Sequence, residues 1–271
     1  MSSSMKSKWL ILWVFLWLGM AAGAVAQDTL TVMTYNIYHG ESASKPGNST
    51  LEEIAKFISA QNPDFVALQE VDSTTTRLAE VNDRRFFGLA DSLAKLTEMI
   101  GYFGKAIEFQ GGGYGIAILS KKAADVRKVK LPNPQSGEPR VLFTVHSKTS
   151  SGRSLIFANT HLDHQYEENR LAQVKAINAS LSDSKIPVIL AGDFNFEPDS
   201  KGYAEMQDNW KDAATESATR NPEFTFPSSK PEKRIDYIWL TKSLEWKVLE
   251  FKTADVACSD HRPVVVKVVI L

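Results

Sequence analysis

Nine side chains in this 271-residue sequence suit one kind of chemistry: Asn36, Glu70, Tyr114, His161, Asp193, Asn195, Asp236, Asp260 and His261. Carboxylates, amides and imidazoles make up most of the set, and it holds no thiolate. Hard oxygen donors suit Mg²⁺, Mn²⁺ or Ca²⁺ rather than zinc. Two histidines leave zinc or iron open, but no His-Glu-x-x-His run or other close histidine pairing on a helix supports them. A hard cation ringed by amides and imidazoles suits attack of water on phosphorus. The cation offsets phosphate charge, amides and histidine bond the non-bridging oxygens, and a carboxylate takes a proton from water.

Asn36, Glu70, His161, Asp193 and His261 recur where apolar runs stop. Pro187 to Ala191 is short and apolar, and reads as a fully buried strand. It leads into Gly192-Asp193-Phe194-Asn195. An ionised Asp193 must sit where that strand leaves the sheet, and Gly192 lets the backbone turn there. On extended chain Phe194 faces away from Asp193 and Asn195, into the core. In isolation the segment reads as an Asx-type turn.

Leu30–Asn36, Asp64–Leu68, Tyr114–Ser120, Ser154–Thr160, Arg234–Leu240, Trp246–Phe251 and Val264–Ile270 read as further strands. Val141–His146 pairs with Ser154–Thr160 as a hairpin. Val126–Leu131 alternates apolar and basic residues, so one face is wet and its lysines and arginines are solvated. Thr50-Leu51-Glu52-Glu53 reads as a capping box opening a helix that Asn62-Pro63 stops. Helices also read over 86–99 and 167–181, residues 72–85 as loop, and 199–233 as irregular with a short helix near Tyr203. The pattern predicts a layered α/β protein with sheet packed on sheet and ligands at the converging strand ends.

The N-terminus reads as a secretory signal: Lys6 and Lys8, an apolar run from Trp9 to Met20, and Ala24-Val25-Ala26 before cleavage at Gln27. Residues 1–26 are therefore predicted as signal peptide and 27–271 as one domain, exported to a periplasm or the medium. The apolar run is too short for a confident membrane span, and no stable span is expected in the mature chain. Net charge is −1, and removing two lysines makes the mature chain more acidic, so no large basic field is available to grip nucleic acid. The single cysteine, Cys258, allows no internal disulfide and no thiolate zinc site.

Seven segments occur in a familiar order: Met33-Thr34-Tyr35-Asn36-Ile37, Leu68-Gln69-Glu70-Val71-Asp72, Tyr114 to Ser120, Asn159-Thr160-His161-Leu162, Gly192-Asp193-Phe194-Asn195, Arg234-Ile235-Asp236-Tyr237-Ile238 and Ser259-Asp260-His261-Arg262-Pro263. Together they resemble the endonuclease/exonuclease/phosphatase superfamily of deoxyribonuclease-like metal-dependent hydrolases. The resemblance implies a four-layer α/β sandwich, two packed and mostly antiparallel sheets flanked by helices. It implies Mg²⁺ (or Mn²⁺) at Glu70, with Asn36 and Asp260 as ligands or groups behind a ligand. Asp193 would be the base, Asn195 would hold water and phosphate, and His261 would bond the scissile phosphate with Asp236 fixing its tautomer. His161 would be a second phosphate contact, and Tyr114 would touch phosphate or leaving group. Many relatives carry Asn where this chain has Ile116.

The resemblance implies a phosphate-ester substrate: nucleic acid, a phospholipid head group, or a sugar or inositol phosphate. Specific nuclease and sphingomyelin-type phosphodiesterase readings stand as alternatives, as does a non-catalytic phosphate-binding module of the same fold. No obligate protein partner is evident. Asp236 beside Arg234 also reads as one half of a buried ion pair, and His161 as a core histidine.

Overall fold

The computed structural model describes residues 28–217 and 224–271. The predicted signal peptide lies outside the described residues. In chain order the elements are β1 (Asp28–Asn36), α1 (Leu51–Gln61), β2 (Phe65–Ser73), α2 (Thr76–Glu80), α3 (Leu89–Thr97), β3 (Ile100–Phe109), β4 (Gly112–Ser120), β5 (Asp125–Lys130), β6 (Val141–Lys148), β7 (Ser154–His161), α4 (Glu167–Leu181), β8 (Val188–Asp193), α5 (Lys201–Gln207), β9 (Trp210–Asp212), α6 (Ala213–Glu216), β10 (Asp236–Thr241), β11 (Trp246–Thr253) and β12 (Val264–Ile270). Among the described residues no helix is long and apolar enough to cross a membrane.

The strands form two six-stranded sheets, in the orders β11-β12-β1-β2-β4-β3 and β5-β6-β7-β8-β10-β9. Each sheet is mixed. One parallel pair lies near its centre, β1 with β2 and β7 with β8, and its other pairs are antiparallel. A parallel pair needs a crossover, and α1 and α4 supply them. The C-terminal ends of both parallel pairs therefore carry the chain toward the same rim.

Three apolar clusters make the four layers. One lies between the sheets and includes Val32, Phe65, Phe157, Ile189, Ile238 and Val266. A second seals α1 and α3 onto the first sheet through Ile54, Ile58, Leu89 and Leu93. A third seals α4 and α5 onto the second through Val174, Ile177, Met206 and Trp239. The predicted sandwich is the observed fold. Phe194 is fully buried in the third cluster, edge-on to Tyr237, as its alternation from Asp193 requires.

Several local expectations need correction. No capping box forms at α1: the Thr50 hydroxyl is buried without a hydrogen-bond partner, while its N–H donates to the Gly40 carbonyl. The segment after Glu70 is not loop, since β2 runs on to Ser73 and α2 follows. β3 was not expected. Gly101 and Gly104 weaken its strand signal, yet a side chain at 104 would press on Phe143 of the facing sheet. Gly192 is not a turn residue: it sits inside the ladder, paired with Thr160 and Tyr237. A Cβ there would lie 2.1 Å from the Thr160 carbonyl oxygen, so glycine is required for space.

Candidate active site

The inter-sheet face changes character along its length. Leu30 and Val32, Phe65 and Ala67, Leu155 and Phe157, and Ile189 and Ala191 fill the core between the sheets. Side chains of the same parity one or two steps further on are Thr34 and Asn36, Gln69, Asn159 and His161, and Asp193. Strands running the other way enter at the polar end, β4 with Tyr114 before Ile116 and β10 with Asp236 before Ile238.

Amides form the middle layer. Thr34 Oγ1 donates to Gln69 Oε1 (3.3 Å), and Gln69 Nε2 to Asn159 Oδ1 (2.7 Å). Asn159 Nδ2 donates to the carbonyls of Leu68 (2.9 Å) and Ala117 (2.8 Å). These bonds join the sheets just below the ionisable layer.

Glu70 reaches the site through an irregularity. The β2–β4 register shifts between Gln69 and Val71, leaving Glu70 as the extra residue of a bulge with φ 57°. Bulges re-aim side chains at the rims of sheets. Tyr38 (φ 44°), His39 (φ 45°) and Asn195 (φ 50°) are also left-handed. Non-glycine residues hold that region at a cost of about 1–2 kcal/mol each, and such outliers gather at functional sites.

Asp193 is the hub. Its Oδ1 accepts the Asn195 N–H (3.0 Å), closing the Asx turn. Around Oδ2 lie Asn36 Nδ2 (3.0 Å), His161 Nε2 (3.5 Å) and His261 Nε2 (3.7 Å). His261 Nδ1 is 2.9 Å from Asp236 Oδ2. Asp236 is not paired with Arg234, whose guanidinium instead holds Asp212 at 2.6 Å. Asn36 Nδ2 also donates to Glu70 Oε1 (3.2 Å), and its Oδ1 accepts the Tyr38 N–H. Its amide nitrogen therefore faces two carboxylates. Asn195 Nδ2 donates to the Leu162 carbonyl (3.1 Å) and so braces the His161 segment.

Burial and the Asp236 charge push the Asp193 carboxyl up to about 7, against the pull of His261 and the amides. Burial works against a charged His261, but Asp236 and Asp193 outweigh it and raise its pKa to about 10. His161 moves the other way, well below its ordinary value, through burial and the Arg140 charge. Arg140 Nη1 lies 3.2 Å from His161 Nδ1. A guanidinium only donates, so the ring proton of His161 sits on Nε2, toward Asp193.

The donor set fits a hard cation. Burial pushes the Glu70 carboxyl up, yet nearby His39, His161 and the Asn36 amide outweigh it and hold it at about 2. Asp260 shifts upward through burial and, against the pull of His261, the charge of Glu70. The charge of one carboxylate is thus felt by the other. A separate group of donor atoms, from Asp193, Asp236 and His261, lies within 4.8 Å of one another. Two of its members, Asp236 and His261, are already hydrogen-bonded to each other. Burial and the Glu70 charge raise the pKa of the Tyr114 hydroxyl.

Sequence reasoning missed His39 and Arg140. Neither continues a buried strand into a polar end, the signal that found the others. Asp163 and Arg170 are structural: Asp163 accepts the N–H groups of Gln165 and Tyr166, and Arg170 holds the Asp163 carbonyl.

Two packed sheets with carboxylates, amides and imidazoles at one rim define a sandwich hydrolase architecture. The profile of the Endonuclease/Exonuclease/phosphatase family matches residues 33–261, and the chain belongs to that family. A conserved protein of unknown function from Enterococcus faecalis is 22% identical, with TM-score 0.74, over 89% of this chain and 100% of that one. A mannosyl-6-phosphatase from Bacteroides thetaiotaomicron is 20% identical, TM-score 0.66, over 89% and 100%. The human Nocturnin catalytic domain with bound sulfate is 21% identical, TM-score 0.67, over 90% and 98%. None of the curated protein sequences matches the chain. Members of the family hydrolyse phosphoester bonds.

Proposed function

We propose that this chain is an exported, divalent-metal-dependent phosphoesterase that directs water at phosphorus. The observation that carries the reading is the convergence of Asn36, His161 and His261 on one carboxylate oxygen of Asp193. A divalent cation at Glu70, with Asp260 beside it, would neutralise charge on the phosphate. Asp193 takes the proton of the attacking water, and a pKa near 7 suits a base at neutral pH. His261, held protonated by Asp236, donates from Nε2 to a non-bridging oxygen as charge develops. His161 donates from its own Nε2 to a second oxygen. Asn195 keeps the Asp193 carboxylate and the His161 segment in place, and Tyr114 borders the leaving group.

The groove of about 350 Å³ beyond Asn195 and Phe226 is lined by Arg170, His164 and Lys233 together with Glu167, Glu197 and Asp199. Its volume leaves room for an ester larger than phosphate itself. The mannosyl-6-phosphatase neighbour supports a phosphomonoester and the deoxyribonuclease resemblance a phosphodiester. Export is supported by Lys6, Lys8 and the run to Ala26.

The test is hydrolysis of p-nitrophenyl phosphate and bis-p-nitrophenyl phosphate with Mg²⁺ or Mn²⁺, and again with EDTA. Turnover that EDTA removes, and that Asp193→Ala and His261→Ala lack while still folded, supports the reading. Parent rates in either variant overturn it. Export predicts a mature N-terminus at Gln27 in the exported fraction.

A further inference from the structure

His39 is buried, with its side chain 7% exposed, and its two ring nitrogens have unlike surroundings. Nε2 lies 3.0 Å from Glu41 Oε2. The other Glu41 oxygen accepts the Gly47 N–H at 2.7 Å, so this carboxylate is fixed in place. Glu41 accepts, so Nε2 carries a proton and Nδ1 is the nitrogen turned outward. Nδ1 has no hydrogen-bond partner and points at Glu70 Oε2, 3.9 Å away. That gap is too long for a hydrogen bond. A buried ring nitrogen is thus left without a partner across a gap from the Glu70 carboxylate.

The backbone holds this arrangement against its own preference. Tyr38 and His39 are consecutive non-glycine residues in the left-handed region. The Asn36 side chain ties the Tyr38 N–H, and the Tyr38 ring packs on the His39 ring at 4.4 Å. Turning the imidazole toward Glu70 is what the strain achieves. A ligating histidine typically donates its second N–H to a carboxylate, which fixes tautomer and orientation. Glu41, His39 and Glu70 already stand in that order.

We propose that His39 Nδ1 is a ligand of the cation held at Glu70, with Glu41 as its orienting carboxylate, and that this nitrogen makes the site prefer Mn²⁺ to Mg²⁺. Imidazole suits transition ions, whereas Mg²⁺ and Ca²⁺ take oxygen. The inference rests on the proposal that Glu70 holds the cation.

The experiment titrates Mn²⁺ into the EDTA-stripped protein, following free Mn²⁺ by electron paramagnetic resonance and bound Mn²⁺ by spin-echo envelope modulation. Parent protein should show modulation from a directly bound ¹⁴N. His39→Gln should lose it, bind Mn²⁺ at least about 10-fold more weakly, and lose less Mg²⁺ affinity by competition. Glu41→Gln should keep the ¹⁴N signal and lose about 10- to 100-fold in Mn²⁺ affinity. It also serves if His39→Gln fails to fold by circular dichroism. Mn²⁺ bound without ¹⁴N modulation, or both variants binding as the parent does, overturns the role of His39 and leaves Glu70 as a cation site. No Mn²⁺ binding by the parent overturns both.

Discussion

Asp193 and Asp236 are Cα partners across the antiparallel β8–β10 pair, and one imidazole, His261, touches both carboxylates. Two buried acids placed opposite one another repel. His261 is the charge that lets them coexist, and the same contact fixes which of its nitrogens faces the reaction. In the proposed mechanism this makes Asp236 the orienter and Asp193 the base.

Asp193→Asn should lower kcat on bis-p-nitrophenyl phosphate by about 10²- to 10⁴-fold, the range for losing a general base. Asp236→Asn should also lower kcat, because His261 loses the partner that holds its proton on Nε2. Circular dichroism spectra matching the parent would tie both losses to chemistry rather than to folding.

The His261 pKa is raised in the folded state, from 6.5 to about 10. Its contribution to stability is therefore fully present below about pH 6.5. It is lost as pH rises toward about 10. Urea unfolding in EDTA across pH 6 to 10 should show this decline, and Asp236→Asn should flatten it. A parent protein equally stable at both ends would contradict the assignment.

Asn159→Ala should destabilise the fold without touching an ionisable group of the site. It strands the buried carbonyls of Leu68 and Ala117 and the Gln69 amide. Each buried group left unpaired costs about 1–3 kcal/mol, so a loss of at least about 2 kcal/mol is expected in urea denaturation.

Arg234 and Asp212 form a buried ion pair at 2.6 Å, and Tyr203 donates to the same Asp212 oxygen. Arg234→Met should cost about 3–5 kcal/mol, as removing one partner of a buried pair does. Replacing both, as Arg234→Met with Asp212→Leu, should recover part of that loss. Thermal unfolding of the two variants measures the difference.

The sequence by itself carried the candidate residues and determined much of the scaffold. Short apolar runs that end in Asn36, Glu70, His161 and Asp193 are a local signal, because burial forces an ionisable group to the end of a strand. The bounds of α4 were legible for the same kind of reason, since a helical stripe repeats within a few residues. What tertiary structure decided is partner choice. Asn36 and Asp193 meet across 157 residues of chain, and Arg234 selects Asp212 over its near neighbour Asp236. Each depends on sheet register and on which strands lie side by side, and periodicity carries neither. β3, the Glu70 bulge and the inward turn of His39 belong with them. All three are set by close packing against other elements, and a single bulged residue re-aims Glu70 where an unbroken alternation would have turned it away from the core between the sheets.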